Sequence, residues 1–333
     1  MFPSHCPYRL ARLLVALFYW VPMAAFAAPP AQPPQLAAAH FVAGDGAVLP
    51  LRRWLPVRDP PRAIIVALHG FNDYSRAFEM PGAFFQRHGV ACYAYDQRGF
   101  GLAPGHGTWP GTQTYVDDLF QFTAAVRERH PGIPVYVLGE SMGAAVAIVA
   151  LTAERRPPAD GLILSAPAVW SRDTMPWYQR ALLETSVHTL PWLRVTGDGL
   201  GFLPSDNIDV LRGLGRDPQV IKATRIDAIY GLVDLMDEAM GRVGLIELPT
   251  LVLIGDRDQI IPKEPMQRLL ERLPRRLTTR VATYPEGYHL LLRDLQAEKP
   301  WRDIVAWISD RNRPLPSGAE QRLALAPSRD ARH

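Results

Sequence analysis

Short apolar runs alternate with helix-length amphipathic segments along most of this chain of 333 residues. The runs are rich in Val, Ile, Leu and aromatic residues, which is typical of strands buried on both faces of a sheet. Segments 115–130 and 263–274 instead space their apolar residues as a helix does. Strands that alternate with helices predict the α/β class, with a mostly parallel central sheet covered by helices on both faces. The predicted strands are "AIIVALH" (63–69), "GVACYAYD" (89–96), "VYVLGE" (135–140), "GLILSAP" (161–167), "TLVLIGD" (250–256) and "TTRVATYP" (278–285).

The alternation defines one domain over residues 40–312, which opens with a hairpin pattern around Gly44-Asp45-Gly46. It fails in residues 168–224, a stretch rich in Trp, Pro and Gly with short helical pieces and no clear strand. An insertion of this kind between two sheet strands predicts a helical lid over a site. Residues 28–39 are rich in Pro and Ala and predict a tether, whereas residues 313–333 lack a sustained apolar pattern and predict a loose tail.

The first 27 residues have the pattern of a bacterial-type export signal. Two arginines precede an apolar run over residues 13–25, and Ala25-Phe26-Ala27 fits a cleavage site. We therefore expect an exported protein, either periplasmic or secreted. An uncleaved inner-membrane anchor is the alternative, although the apolar run is short for a membrane span and Pro22 interrupts it.

The charge of the chain argues against a nucleic-acid partner, and its cysteine content argues against an internal disulfide. Thirty-six basic and 33 acidic residues give a formal net charge of +3, and no basic cluster is dense enough to follow a phosphate backbone, which argues against a nucleic-acid partner. Cys6 lies in the predicted signal, so Cys92 is the one cysteine of the mature chain and cannot form an internal disulfide. Cys92 stands in an apolar predicted strand, which indicates a buried thiol.

Residues Gly139 to Gly143 read Gly-Glu-Ser-Met-Gly and match the pattern G-x-S-x-G. The pattern is short enough to occur by chance, so its context decides. It follows a predicted strand and opens an alanine-rich helical segment, which is the setting that a nucleophile elbow requires. The glycines permit a tight turn that lifts the serine hydroxyl clear of the sheet. Ser141 is therefore a candidate nucleophile, and a small residue at an ordinary strand-to-helix turn is the alternative.

A serine hydroxyl needs a base, and the base needs an acid that orients it. Asp256 and Asp258 follow one predicted strand, and His289 follows a later one. The order Ser, Asp, His, with both partners just after strands, is the order of an α/β-hydrolase triad. Either aspartate fits at this point, and a turn or helix-cap role is the alternative for each. A packed histidine beside Leu290 and its neighbours is the alternative for His289.

Acyl transfer also needs donors aimed at the developing oxyanion. His69-Gly70-Phe71 follows the first predicted strand of the alternating region, and a turn there can aim the Phe71 N–H at the space reached by the Met142 N–H. His69 precedes this turn. We interpret it as a residue that shapes the loop, because His289 already supplies the base.

These residues resemble the monoacylglycerol lipase and lysophospholipase branch of the α/β-hydrolases, which is also grouped with the serine aminopeptidase-like hydrolases (S33). The resemblance covers roughly residues 40–310. It rests on five motifs: "LHGFND" (68–73), "YDQRGFGLAPG" (95–105), "YVLGESMGAA" (136–145), "GDRDQIIP" (255–262) and "YPEGYHLLL" (284–292).

The resemblance implies the α/β-hydrolase fold, with Ser141 as nucleophile, Asp258 as acid and His289 as base. It also implies the backbone N–H groups of Phe71 and Met142 as the oxyanion hole. The choice of Asp258 over Asp256 comes from the family's G-x-x-D pattern. The chain departs from the family at Ala144, where a second glycine is common, and at "GFGLAPGHG", where the family often has G-H-G-x-S.

The lid of this family is apolar and suits lipid-like acyl chains. In this chain the substrate-pocket candidates are Trp170, Trp177, Trp192 and Phe202. We also expect transient contact of the lid with a membrane surface. The alternative is that these aromatic side chains pack the lid onto the core.

The expected function is that of a serine hydrolase that cleaves carboxylic esters of lipid-like substrates through an acyl-enzyme, as a monoacylglycerol lipase, lysophospholipase or carboxylesterase does. No cofactor and no metal are expected. A serine aminopeptidase or amidase is one alternative, with Asp198, Asp206 or Asp209 as an anionic site for a substrate amine. A catalytically inactive binding protein on the same fold is another.

Overall fold

The computed structural model describes residues 32–57, 60–197, 201–275 and 279–321. The predicted export signal lies outside these residues, as do the first residues of the predicted tether and the end of the predicted tail. In the part of the chain that is described, no helix combines the length and the apolar character needed to cross a membrane.

A central sheet holds most of the strands. Their bounds are β1 Gln35–Leu36, β2 His40–Val42, β3 Val48–Trp54, β4 Ala63–Leu68, β5 Val90–Tyr95, β6 Val135–Glu140, β7 Gly161–Ser165, β10 Thr250–Gly255, β11 Thr279–Tyr284 and β12 Glu320–Gln321. Over the described residues these ten strands have the order β1-β2-β3-β5-β4-β6-β7-β10-β11-β12. The six strands from β5 to β11 in this order are parallel, and antiparallel strands flank them on both sides. The predicted mostly parallel sheet is confirmed.

Helices cover both faces of the sheet. They are α1 Glu79–Arg87, α2 Thr112–Arg129, α3 Met142–Leu151, α4 Trp177–Thr189, α5 Ile208–Arg216, α6 Ile226–Arg242, α7 Lys263–Arg272 and α8 Glu298–Ser309. Apolar side chains of α1 and α8 form the core on one face. Those of α2, α3, α6 and α7 form the core on the other. Strands β4, β5, β6, β7 and β10 are buried along their whole length, which explains why their sequences lack polar alternation.

The strand register brings several loops together at one edge of the sheet. Leu68 at the end of β4 pairs with Gly139 near the end of β6, and Gly255 at the end of β10 pairs with Tyr284 at the end of β11. Loops that follow parallel strands with aligned ends meet at the same edge. This edge therefore carries the β4 loop (residues 69–74), the turn at Ser141, the β10 loop (256–262) and the β11 loop (285–297).

The insertion (168–224) lies between β7 and β10 and contains α4 and α5, neither of which has a buried residue. The sequence pattern predicts no clear strand here. The structure corrects this, because β8 Arg194–Thr196 pairs antiparallel with β9 Ala223–Arg225 at the end of the stretch. A three-residue pair gives too short a pattern for periodicity to detect.

Two predicted boundaries also need correction. Gln35 and Leu36 lie in the predicted tether but pair with β2, so the ordered sheet begins before His40. In the predicted loose tail, Leu315 is buried and Glu320–Gln321 pair with β11. A single buried leucine and a two-residue strand leave no periodic signal, so only their contacts with the distant β11 reveal them.

Candidate active site

Ser141 stands at the turn between β6 and α3. Its backbone has φ 53 and ψ −115, a left-handed conformation that is strained for a residue other than glycine. The flanking glycines permit this turn. A Cβ on Gly139 would lie 2.4 Å from the Ala144 backbone, and a Cβ on Gly143 would lie 2.2 Å from the Leu68 carbonyl oxygen. Any side chain at either glycine would force β4, β6 and α3 apart.

His289 lies within hydrogen-bond distance of both Ser141 and Asp258. Its Nε2 is 3.0 Å from Ser141 Oγ, and its Nδ1 is 2.8 Å from Asp258 Oδ2. In a neutral ring, Nδ1–H donates to the carboxylate and Nε2 accepts from the serine hydroxyl. The side chains of His289 and Asp258 are only 7% and 6% exposed, so water competes little for the contact between them.

The β10 loop distinguishes its two aspartates. Asp258 Oδ1 accepts hydrogen bonds from the N–H groups of Ile260 and Ile261 at 2.8 and 3.0 Å, which fixes the carboxylate toward His289. The side chain of Asp256 is 58% exposed and pairs with Lys263 at 3.5 Å. The geometry therefore joins Asp258, and not Asp256, to the Ser141–His289 pair.

The β4 loop is held close to Ser141. A Cβ on Gly70 would lie 3.4 Å from Ser141 Cβ. Buried His69 links this loop to the β5 loop, since its Nε2 accepts from the Gln97 N–H at 2.9 Å and its Nδ1 donates to the Gly70 carbonyl at 2.8 Å. Burial lowers the pKa of His69, which favours the neutral ring that this pattern requires. These contacts agree with the loop-shaping role expected for His69.

The predicted oxyanion donors are the backbone N–H groups of Phe71 and Met142. Within the described ranges, neither the Phe71 N–H nor the Met142 N–H donates to another protein atom. The Phe71 ring packs between Phe100 and Trp109, with ring centroids 5.5 and 6.3 Å away, which fixes the turn that carries this N–H. Met142 begins α3, where backbone N–H groups face outward from the helix end.

A cavity of about 800 Å³ opens beside Ser141 and His289. Trp170 and Phe202 line it, as expected of two of the four aromatic candidates. The structure does not place Trp177 and Trp192 there, because their side chains point outward and are 73% and 60% exposed. Most of the other lining residues are apolar: Phe71, Ala168, Pro204, Leu214, Val220, Ile229, Leu232, Met236, Ile260, Ile261 and Leu290.

The insertion is tied to the loops around this cavity by hydrogen bonds. Pro204 accepts from the Leu290 N–H at 2.8 Å, and buried Ser205 donates to Asp294 at 2.6 Å, which joins the insertion to the β11 loop. The Ile221 N–H donates to the Asn72 carbonyl at 3.0 Å, which joins it to the β4 loop. These contacts leave no local pattern in the sequence.

A buried charge cluster beneath the site was not predicted from the sequence. Arg293 donates to Asp73 Oδ2 and to Glu140 Oε1, each at 2.7 Å, and its side chain is 6% exposed. Burial alone would lower the pKa of Arg293, but the two carboxylates outweigh burial and raise it, so the guanidinium stays charged. Glu140 lies inside the elbow motif, and this position is the feature of the sequence that could have indicated the cluster.

Among the residues with described coordinates, no group of three or more His, Cys, Asp or Glu side chains is arranged to hold a metal ion.

A strand-to-helix serine joined to a histidine and an aspartate on later strand ends, on a sheet of this topology, defines an α/β-hydrolase. The family model "Serine aminopeptidase, S33" matches residues 59–296. This match spans more than half of the chain, so the chain belongs to the S33 hydrolase family. The predicted α/β fold class and the resemblance of the chain to this family are thereby confirmed.

Curated relatives cover about four fifths of the chain. A monoacylglycerol lipase of Mycolicibacterium smegmatis is 26% identical over 288 residues, covering 81% of this chain and 96% of the relative. A monoglyceride lipase of Rattus norvegicus is 28% identical over 284 residues, covering 82% and 90%.

Solved structures share the fold. A soluble variant of monoglyceride lipase from Saccharomyces cerevisiae, in complex with a substrate analog, has a TM-score of 0.69 at 18% identity, covering 87% of this chain and 99% of that one. The monoacylglycerol lipase of Paleococcus ferrophilus has a TM-score of 0.65 at 23% identity, covering 78% and 98%.

Proposed function

We propose that this protein is a serine ester hydrolase that acts on lipid-like substrates of the monoacylglycerol class. The observation that carries the proposal is the continuous hydrogen-bonded chain from Ser141 through His289 to Asp258 at the mouth of a largely apolar cavity. The curated monoacylglycerol and monoglyceride lipases among its relatives support the same substrate class.

The reaction proceeds in two acyl transfers. His289 Nε2 takes the hydroxyl proton of Ser141 as Oγ attacks the ester carbonyl carbon, and the resulting oxyanion accepts hydrogen bonds from Phe71 and Met142. His289 then gives its proton to the leaving alcohol, and the carbon–oxygen ester bond breaks. Water attacks the acyl-enzyme in the same way and releases the carboxylic acid. Asp258 holds the histidine ring in place throughout.

Replacement of the nucleophile tests this mechanism directly. Ser141→Ala removes the attacking oxygen, so kcat for a p-nitrophenyl ester falls by at least about 10⁴-fold. Labelling of the protein by a fluorophosphonate probe is lost with it. Ser309→Ala, at an exposed position on α8, is the control and keeps both. An unlabelled wild-type protein would instead support a binding protein on the same fold.

A comparison of ester and anilide substrates shows which type of bond the protein cleaves. We expect turnover of a monoacylglycerol and of a p-nitrophenyl ester, and little turnover of an amino-acid anilide. In the described structure Asp206 accepts the Leu295 N–H at 2.9 Å, and the Asp209 side chain is 92% exposed and pairs with Arg212. Neither lines the cavity as an amine site would, and Asp198 lies outside the described residues. Turnover of the anilide alone would establish a peptidase.

The insertion also serves as a membrane-contact surface in this proposal. Many of its large apolar side chains are exposed, and an exposed apolar surface marks an interaction site. These side chains include Trp177, Tyr178, Leu182, Leu190, Trp192, Leu193, Val195 and Phe202.

Vesicle binding tests this surface. Replacing Trp177 and Trp192 together with serine weakens binding to phosphatidylcholine vesicles by about tenfold, because indole rings partition strongly into the interface. Hydrolysis of a short soluble ester stays unchanged. Leu245→Ser, which removes a 59% exposed leucine outside the insertion, is the matched control and keeps vesicle binding. Equal vesicle binding by all three proteins would contradict the membrane-contact role.

Export to the periplasm or the medium is part of the same proposal, supported by the sequence pattern of the first 27 residues. An intact-mass measurement on the protein recovered from its native host tests it. A mass that begins at Ala28 supports export with cleavage, and a mass that includes Met1 supports a retained anchor.

A further inference from the structure

We propose that Arg293 is a positioning residue of this hydrolase, whose guanidinium holds the β4 loop and the Ser141 elbow in register with the β11 loop that carries His289. The inference rests on the proposed ester hydrolysis, because it concerns the geometry of that reaction. Arg293 touches none of the reacting atoms and acts through the loops that do.

Each of the three charged residues lies close in sequence to a residue of the proposed active site. Arg293 is four residues after His289, Glu140 immediately precedes Ser141, and Asp73 is two residues after Phe71. One guanidinium bonds both carboxylates at 2.7 Å. It thereby connects the segments that hold the base, the nucleophile and an oxyanion donor, which are far apart in sequence.

The fork geometry of arginine suits this task. A planar guanidinium donates in fixed directions, so it sets the angle between its two partners as well as their distance. Glu140 is fully buried, and neither Glu140 nor Arg293 lines the reaction cavity, whereas Asp73 does. Arg293 therefore holds the loops from outside the reaction cavity.

Stability alone is a weak explanation for these contacts. Moving three charges out of water is costly, and replacement of a buried ion cluster by apolar side chains is often neutral or stabilising. Within the described part of the chain, Arg293 Nε and Glu140 Oε2 also have no hydrogen-bond partner. A cluster that is costly and incompletely paired, yet joins the loops of the site, is better explained by its effect on geometry.

The backbone of Arg293 extends the connection to the insertion. Its carbonyl accepts from Asn207 Nδ2 at 3.0 Å, and the neighbouring Asp294 accepts from Ser205. The same residue thus anchors the insertion through its backbone and the catalytic loops through its side chain.

Removal of the guanidinium, followed by its replacement from solution, tests the proposal. In Arg293→Ala the two carboxylates lose their cation and the loops separate, so kcat for a p-nitrophenyl ester falls by about 100-fold, while KM changes by less than about threefold. Arg293 lines a second cavity of about 500 Å³ at the protein surface, which gives small solutes access to the vacated space. Millimolar guanidinium chloride then restores kcat at least about tenfold and saturably. Ammonium chloride at the same concentration restores much less, because it lacks the fork.

Two further variants keep the test decisive. Arg293→Lys retains the charge without the fork, so its kcat lies between those of Arg293→Ala and the wild type. Arg302→Ala, which removes an exposed arginine paired with Glu298 on α8, keeps the wild-type kcat and gains nothing from guanidinium.

The outcomes separate the two proposals. A wild-type protein without ester turnover would overturn the proposed function. An active wild type with either Arg293 variant within about threefold of its kcat would overturn the positioning role alone. A folded Arg293→Ala protein of low kcat that guanidinium fails to rescue would also overturn the positioning role. If Arg293→Ala folds poorly, a wild-type kcat in Arg293→Lys would overturn it as well.

Discussion

At the scale of single residues, Asp294 connects the β11 loop, which carries His289, to the insertion. Its carboxylate accepts from the Tyr288 N–H at 2.7 Å, next to His289, and from Ser205 Oγ at 2.6 Å. Burial raises the pKa of Asp294 from its ordinary value of 3.8 to about 6, although these two hydrogen bonds act to lower it. The folded protein therefore favours the protonated form of this carboxyl.

Asp294→Asn removes that titration. A carboxyl whose pKa is raised by folding contributes stability that is fully present below its unfolded pKa and is lost as the pH rises through its folded pKa. The wild type therefore loses up to about 3 kcal/mol of unfolding free energy, relative to Asp294→Asn, between about pH 4 and about pH 7. Urea unfolding of both proteins at several pH values measures this difference. A constant difference across the range would show that Asp294 has an ordinary pKa.

At the scale of secondary-structure elements, the site depends on how closely α3 approaches β4. Gly143 in the first turn of α3 lies against the carbonyl of Leu68, the last residue of β4. The next residues of the chain after Leu68 form the β4 loop, so the separation of these two elements sets the distance between Ser141 and Phe71. A helix that cannot approach this strand cannot build the site.

Gly143→Ala tests this close approach. The added methyl group meets the Leu68 carbonyl and forces the elements apart, so we expect a loss of about 1–3 kcal/mol in unfolding free energy and a lower kcat. Gly241→Ala is the matched control in α6, where a Cβ has no atom within 4 Å. There alanine should stabilise the helix by about 0.5–1 kcal/mol. Denaturant unfolding measures both, and equal stability of the two variants would contradict the packing argument.

At the scale of the whole molecule, the C-terminal segment 313–321 closes the far edge of the sheet. Leu315 is buried, and the Ala319 carbonyl accepts from the Thr283 N–H at 2.9 Å. Ser317 donates to the fully buried Asp303, which also accepts from Tyr284 at 2.7 Å. The segment therefore covers an edge strand and completes the hydrogen bonds of a buried carboxylate.

Truncation after Asn312 removes these contacts. We expect the unfolding free energy to fall by about 2–5 kcal/mol, from the loss of a buried leucine and of the Asp303 partners, and the uncovered β11 to promote aggregation. A chain that ends at Gln321 retains the contacts and is the control. Thermal unfolding and light scattering compare the two chains. If truncation after Asn312 left both measurements unchanged, the segment would be dispensable.

Local patterns in the sequence were sufficient to predict the α/β class, the strands that carry the site, and Ser141 and His289 as the candidate nucleophile and base. Fully buried strands have an unbroken apolar signature, and a nucleophile elbow needs glycines at fixed positions, so both leave a record within a few residues. The choice of Asp258 over Asp256 needed a family resemblance as well, because both aspartates end the same strand and only one is turned toward His289.

Tertiary structure alone decided the contacts between distant segments. They include which aromatic side chains face the cavity, where residues 313–321 pair with β11, and how Arg293 joins Asp73 to Glu140, and each depends on the relative placement of segments that are not adjacent in sequence. A charged residue that is buried by partners from elsewhere in the chain has the same local sequence as one that faces water. Ser141, by contrast, is predicted as the nucleophile from the turn that its own neighbours form.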